Sequence, residues 1–116
     1  MNREYAVKWL NKLKDYWINK DIDSAVSLFT KTTFYQETPF IKPYTTIQEI
    51  NQEWQHIKDE DIESIDIKLL AIDKNTVIAE WTLKQNNQEF DGIYEIKFND
   101  NLDCVYFKSW EMINNE

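Results

Sequence analysis

The feature that most constrains this chain is a change of hydrophobic period at the acidic run Asp59-Glu60-Asp61. Before it, apolar residues mostly recur at helical spacing; after it, they alternate with polar ones. Helices first and a run of strands second is an α+β order, not the strand–helix alternation that builds parallel sheets. The acidic run itself reads as a solvated connector.

Ala6, Leu10, Leu13 and Trp17 form one stripe, with Val7, Trp9 and Tyr16 beside it, which predicts a helix over about 4–19. Asp21 can accept hydrogen bonds from free first-turn amides, so it caps a second, shorter helix whose apolar face is Ile22, Ala25, Val26 and Phe29. Thr30 to Gln36, rich in β-branched and aromatic residues, reads as a strand. Thr46-x-x-Glu49 is a capping box, and Ile47, Ile50, Trp54 and Ile57 then share a helical face. Beyond Asp61 four strands are expected, roughly 62–72, 76–84, 89–99 and 102–112. The turns between them are rich in Asn, Asp and Lys, and Asn and Asp accept positive φ and favour short hairpins.

Strand faces carry further information. Val77, Ala79, Trp81 and Leu83 alternate with Ile78, Glu80, Thr82 and Lys84; Phe90, Gly92, Tyr94, Ile96 and Phe98 alternate with Asp91, Ile93, Glu95 and Lys97. The last strand is apolar on both faces: Cys104, Tyr106, Trp110 and Met112 fall on one, Val105 and Phe107 on the other. A strand of that kind is usually covered twice. Helices cover one face, and a second copy of the chain is expected on the face bearing Val105 and Phe107.

Composition excludes several functions. A net charge of −8 repels phosphate backbones and anionic lipid, so nucleic-acid and membrane partners are not expected. No apolar run reaches the roughly 18 residues of a membrane span, and Met1-Asn2-Arg3-Glu4-Tyr5 has no hydrophobic signal core, so a cytoplasmic protein is expected. One glycine rules out a glycine-rich phosphate loop. One histidine, His56, expected at the surface, and one cysteine, Cys104, expected in the core, offer no metal-ligand spacing. Neither a metal nor another cofactor is expected. The serines lack both a histidine partner within reach and nucleophile-elbow glycines.

Both prolines lie between Phe34 and Trp54. They stiffen a segment that cannot pair as an interior strand and should cross the open end of the helix–sheet layer. Glu37, just before Pro39 and among aromatic residues, then sits where a polar rim meets an apolar wall. It is the expected catalytic acid or base, its pKa raised by partial burial. Trp17, Tyr35, Phe40, Trp54, Trp81, Tyr94 and Trp110 are the expected ligand-binding residues.

The segments Asp21-Ile-Asp-Ser-Ala-Val-Ser-Leu-Phe29, Tyr35-Gln-Glu-Thr-Pro-Phe-Ile-Lys-Pro43 and Ile47-Gln-Glu-Ile-Asn-Gln-Glu-Trp54, with Glu89-Phe-Asp-Gly-Ile-Tyr94 and Trp110, resemble the nuclear-transport-factor-2-like superfamily, in particular its bacterial SnoaL-like, polyketide-cyclase-like branch. The resemblance spans nearly all of the chain. It implies one domain, 1–116, in which a curved antiparallel or mixed sheet wraps on three helices as a cone with a pocket inside, usually as a homodimer. It does not imply one activity, because this fold hosts isomerases, dehydratases, cyclases and non-enzymatic binders. Matching the ketosteroid-isomerase site places its tyrosine at Leu13 and its aspartate base at Thr38, neither of which can do that work. Glu37 and Tyr16, close by, would form a displaced pair.

Two functions therefore stand. One is a pocket for a small hydrophobic molecule, with isomerase- or lyase-type acid–base chemistry. The other is a non-catalytic dimeric interaction domain with a filled cone. A cavity above roughly 300 Å³ with an inward carboxylate favours the first.

Overall fold

The computed structural model describes residues 1–115. Three α-helices, Arg3–Ile18 (α1), Ile22–Ser27 (α2) and Ile47–Gln55 (α3), are joined by a short strand Phe34–Gln36 (β1). A 3-10 turn, His56–Asp59, leads into Ile62–Asp73 (β2), Thr76–Gln85 (β3), Gln88–Phe98 (β4) and Cys104–Ile113 (β5). The strands form one open sheet in the order β1-β5-β4-β3-β2, in which β1 runs parallel to β5 and the other pairs are antiparallel. The α+β architecture and the mixed sheet are those expected.

Local chemistry sets the boundaries. Asn2 caps α1 by accepting from the Tyr5 amide at 2.8 Å, and Asp21 caps α2. At α3 the capping box is complete: Thr46 Oγ1 accepts from the Glu49 amide at 3.2 Å, and Glu49 accepts from the Thr46 amide, also at 3.2 Å. Thr46→Ala should cost about 1 kcal/mol, measured by denaturant unfolding with an unchanged m-value. Asn86 and Asn87, both at positive φ, close the two-residue β3–β4 hairpin. β1 is shorter than the strand expected over Thr30–Gln36. Before Phe34 the chain is still turning, held by Thr32 Oγ1 donating to the Cys104 carbonyl at 2.7 Å and by the Thr33 amide on Val105 O.

One core joins helices and sheet. Leu10, Leu13, Phe29, Ile50, Val77, Ala79, Ile96 and Phe107 are buried in it, and Cys104 is a buried free thiol whose pKa desolvation pushes up to about 12. Phe29 is at the centre, within ring contact of Trp9, Tyr35, Trp54 and Phe107.

Two expectations are corrected. Phe107 is 3% exposed and belongs to the helix-covered face, so it cannot carry a dimer contact. The irregularity is at the start of β5: Phe98 pairs Cys104 but Lys97 pairs Tyr106, so one extra residue, Val105, shifts the phase. Cys104, Phe107 and Ser109 are thereby buried, while Trp110 and Met112 reach the outer face. The proline segment, expected to cross the open end of the helix–sheet layer, is exposed or half-exposed over residues 38–43. It loops out after Glu37, turns at Pro39–Phe40 and returns at Tyr44, which pairs with Tyr35 as an antiparallel bridge. Phe40 stands fully exposed at the tip with φ 76°.

Candidate active site

The cavity lies between the helices and the sheet face they cover and has a volume of about 200 Å³. It is smaller than the roughly 300 Å³ of a drug-sized site, yet larger than the roughly 150 Å³ that suffices for benzene. Its inward carboxylates meet the other half of the expectation. The space between helices and sheet is neither widely open nor filled.

Each wall comes from a different element. α1 contributes Leu13 and Trp17; α3 contributes Glu53 and Trp54, and the 3-10 turn after it His56 and Ile57; β3 contributes Trp81 and Leu83; β4 contributes Phe90 and Tyr94. From β5 come Phe107, Ser109 and Glu111, successive inward positions of one strand, and from β1 and its exit come Tyr35 and Glu37. The rings interlock: Trp17 meets Trp54 edge-on at 5.9 Å and Trp81 stacks on Tyr94 at 5.5 Å. The Trp81 indole is fixed by donating to Ser109 Oγ at 3.0 Å.

Gly92 makes room for that indole. Its φ is not positive, so conformation is not the reason for a glycine here. A Cβ at 92 would run into the Trp110 carbonyl and into the six-membered part of the Trp81 ring, well inside contact distance. Trp81 pairs Gly92 across β3 and β4, so the aromatic ring lies over a bare backbone.

The carboxylates define the chemistry. As a residue Glu37 keeps a partial exposure, but its carboxyl group is enclosed. Desolvation first, and then the negative charge of Glu53, push its pKa up to about 8; the Tyr35 hydroxyl, donating to Oε1 at 3.3 Å, opposes the shift. Glu53 is held by the Tyr44 hydroxyl, which donates to Oε2 at 2.9 Å, with His56 Nδ1 at 3.5 Å from the same oxygen. The Tyr44 phenol is pushed up to about 12, chiefly by that hydrogen bond. Half-buried Glu111 is also raised, by desolvation. Burial raises Tyr35 and Tyr94 well above the ordinary phenol value, so both are hydroxyl donors at neutral pH. A protonated carboxyl beside a charged one, in an aromatic cavity, can both give and take a proton.

Trp17, Tyr35, Glu37, Trp54, Trp81 and Tyr94 are thus brought together, while Phe40 and Trp110 are not. Phe40 leaves with the loop tip, and Trp110, 40% exposed, lies on the outer face beneath Lys108, whose Nζ is 4.5 Å from the ring centroid. Leu13 lines the cavity as an apolar contact. Of the displaced pair, Glu37 is present, and its phenol partner is Tyr35 in place of Tyr16. His56, 70% exposed at its side chain, sits at the rim. Sequence reasoning missed Glu53, Ser109 and Glu111. The first directly precedes Trp54 on α3. The other two continue the inward alternation from Phe107, a signal hidden by the phase shift at Val105.

Comparison with known proteins places the fold. No family model matches the sequence, and no curated protein matches it. Among solved structures, an uncharacterised nuclear-transport-factor-2-like protein from Burkholderia xenovorans LB400 superposes with a TM-score of 0.77 at 12% identity, over 100% of this chain and 88% of its own. A proposed SnoaL-like polyketide cyclase from Shewanella denitrificans OS-217 gives 0.72 at 10% identity, over 95% and 92%. A steroid delta-isomerase from Pseudomonas aeruginosa gives 0.70 at 19% identity, over 92% and 79%. The chain has the nuclear-transport-factor-2-like fold. None of its described helices is long and apolar enough to cross a membrane.

Proposed function

We propose that this protein binds a small, largely apolar molecule in the aromatic cavity and that Glu37 moves a proton on it, in an isomerase- or lyase-type reaction. The observation that carries this reading is the Glu37 carboxyl, enclosed by Tyr35 and the cavity rings with Glu53 as its charged neighbour. With a pKa near 8, Glu37 holds its proton at neutral pH and can donate it to a bound molecule. The resulting carboxylate, beside Glu53, is a strong enough base to recover a proton from an adjacent carbon. Tyr35 fixes the acid's position, and the packed rings restrict water. Shared fold with an isomerase and a cyclase is compatible with such chemistry and does not choose the substrate.

The test is tryptophan emission across a panel of monocyclic and bicyclic hydrophobic molecules, followed by turnover of those that bind. Trp54→Ala should abolish the emission change, while Glu37→Gln should keep binding and lower turnover by 10² or more. A panel that never shifts the emission contradicts the reading.

The outer sheet face supports self-association, through residues other than those expected. Trp110 is 40% and Met112 73% exposed, and Ile93 pairs Trp110 across the strands. Phe34 stacks on Tyr106 at 4.5 Å on the same side. A second copy of this chain is the proposed occupant. Sedimentation should show a dimer at micromolar concentration and a monomer for Trp110→Glu, since a buried unpaired charge is costly. A monomeric unmutated protein contradicts it.

A further inference from the structure

Four acidic side chains, Glu37, Glu53, Glu60 and Glu111, line the cavity, and neither Lys nor Arg is among its described lining residues. The basic groups nearby are engaged elsewhere. Lys20 donates to the carbonyls of Lys58 and Glu60. His56 Nδ1 is 3.5 Å from Glu53 Oε2, but its side chain is 70% exposed, so it serves the rim. Deeper in, the enclosed Glu37 carboxyl accepts from Tyr35 on Oε1 and has Glu53 as its charged neighbour. Among the described residues no ion pair reaches Glu37 or the half-buried Glu111. Enclosed carboxylates without a cation are costly, so the site has an unmet demand for positive charge.

The surroundings decide what kind of cation fits. No three His, Cys, Asp or Glu side chains among the described residues are grouped so as to hold a metal ion. The acids are spread instead around a void of about 200 Å³, whose other walls include Trp17, Trp54, Trp81 and Tyr94. A void of roughly 150 Å³ already takes a benzene ring, so this one has room for a single ring with a short head group. A strongly hydrated inorganic cation gives up water to oxygen ligands, not to rings. An organic ammonium spreads its charge over alkyl groups, which aromatic rings attract and pack against.

Resting on the cavity as a binding site, we propose that its ligand is a small hydrophobic amine bound as the ammonium, with the Glu37 and Glu53 carboxylates as counter-charge and the aromatic rings around its alkyl groups. An amine that arrives as the free base takes the Glu37 proton: the carboxyl O–H bond breaks, an N–H bond forms, and the ammonium is left beside two carboxylates. A quaternary ammonium takes no proton, and its charge displaces the Glu37 proton to solvent. In both cases Glu37 is the group that gives up a proton. The ionisable groups facing it are Tyr35 on its own strand, Tyr44 on the returning loop, Glu53 on α3, His56 in the 3-10 turn, Tyr94 on β4 and Glu111 on β5. α1 and β3 present no ionisable group to the cavity. Because the Glu37 carboxyl holds its proton up to about pH 8, protons compete with a bound cation below that value and cease to compete above it.

The experiment compares phenyltrimethylammonium with tert-butylbenzene, its uncharged counterpart of the same shape, and with benzoate. Tryptophan emission reads affinity between pH 6 and pH 9, and calorimetry at pH 7 in phosphate and in HEPES reads the protons released. The cation should bind at least about ten times more tightly than the hydrocarbon, and benzoate should not bind. Cation affinity should rise about tenfold or more from pH 6 to pH 8 and level off beyond, while hydrocarbon affinity does not rise. At pH 7 the cation should release between about half a proton and one proton per complex. Glu37→Gln should abolish that release and flatten the pH profile. If the hydrocarbon binds as tightly as the cation, the cavity survives as a binding site and the ammonium proposal does not. If the cation binds more tightly but releases no proton and shows no pH dependence, the assignment of Glu37 as counter-charge is overturned. If benzoate binds better than the cation, the demand for positive charge is wrong and the proposal falls with it. If neither cation nor hydrocarbon binds, this proposal and the binding site beneath it are both overturned. The three-ligand comparison uses the unmutated protein, so it stands even where the variant fails to fold.

Discussion

Glu37→Gln is expected to stabilise the protein at alkaline pH and to leave it nearly unchanged in acid. The sign follows from the direction of the shift. The carboxyl has a pKa near 4.5 when unfolded and about 8 when folded, so the folded state binds the extra proton between those values. Its contribution is therefore fully present below pH 4.5 and is lost as the pH rises through about 8. Across that window the unmutated protein should lose on the order of 3 kcal/mol from this group. Glutamine mimics the protonated acid and does not titrate. At pH 9 the variant should melt higher by about 10 °C, and at pH 4.5 the two should coincide. Thermal unfolding at five pH values checks this. Parallel curves for the two proteins would mean that the Glu37 carboxyl is not enclosed as described.

Gly92→Ala should be the most damaging single methyl in the sheet. The new Cβ meets a backbone carbonyl of β5 on one side and the Trp81 ring on the other. The carbonyl belongs to the β4–β5 ladder and cannot move without breaking pairing, so the ring must shift. Moving Trp81 also breaks its hydrogen bond to Ser109 and disturbs the stack on Tyr94. Overpacking of this kind costs roughly 3 kcal/mol, or about 10 °C in Tm for a domain of this size. Ligand binding should fall with it, because Trp81 is a cavity wall. A variant as stable as the parent, with an unshifted Trp81 indole signal, would show that the close approach at Gly92 is not there.

These two residues also show what was and was not legible in the sequence. The elements were, because each rests on a local rule: periodicity for α1, an aspartate cap for α2, a capping box for α3, paired asparagines for the β3–β4 turn. Glu37 was legible as a charge among aromatics before a proline. The face assignment on β5 was not. It depends on one extra residue at Val105, and a phase shift of one reverses every later side chain. That single shift hid Ser109 and Glu111 and sent Phe107 inward and Trp110 outward. Gly92 was visible as the only glycine, but its reason was not: the need comes from Trp81, eleven residues away in sequence and adjacent only across the strand pair. Phe40 misled for a different reason. Composition placed it with the other aromatics, whereas the turn at Pro39 carries it out on an exposed loop tip. Glu53, which sets the charge environment of Glu37, requires knowing that α3 and the exit of β1 face each other, and that is a tertiary fact.

Central to the proposed chemistry is a Glu37 carboxyl kept protonated inside an aromatic cavity. The direct measurement is a ¹³C NMR titration of its side-chain carboxyl carbon, assigned by Glu37→Gln. The expected midpoint is near pH 8, falling when Glu53 is replaced by Gln and its charge is removed. A midpoint near the ordinary 4.5, unmoved by that replacement, would contradict it.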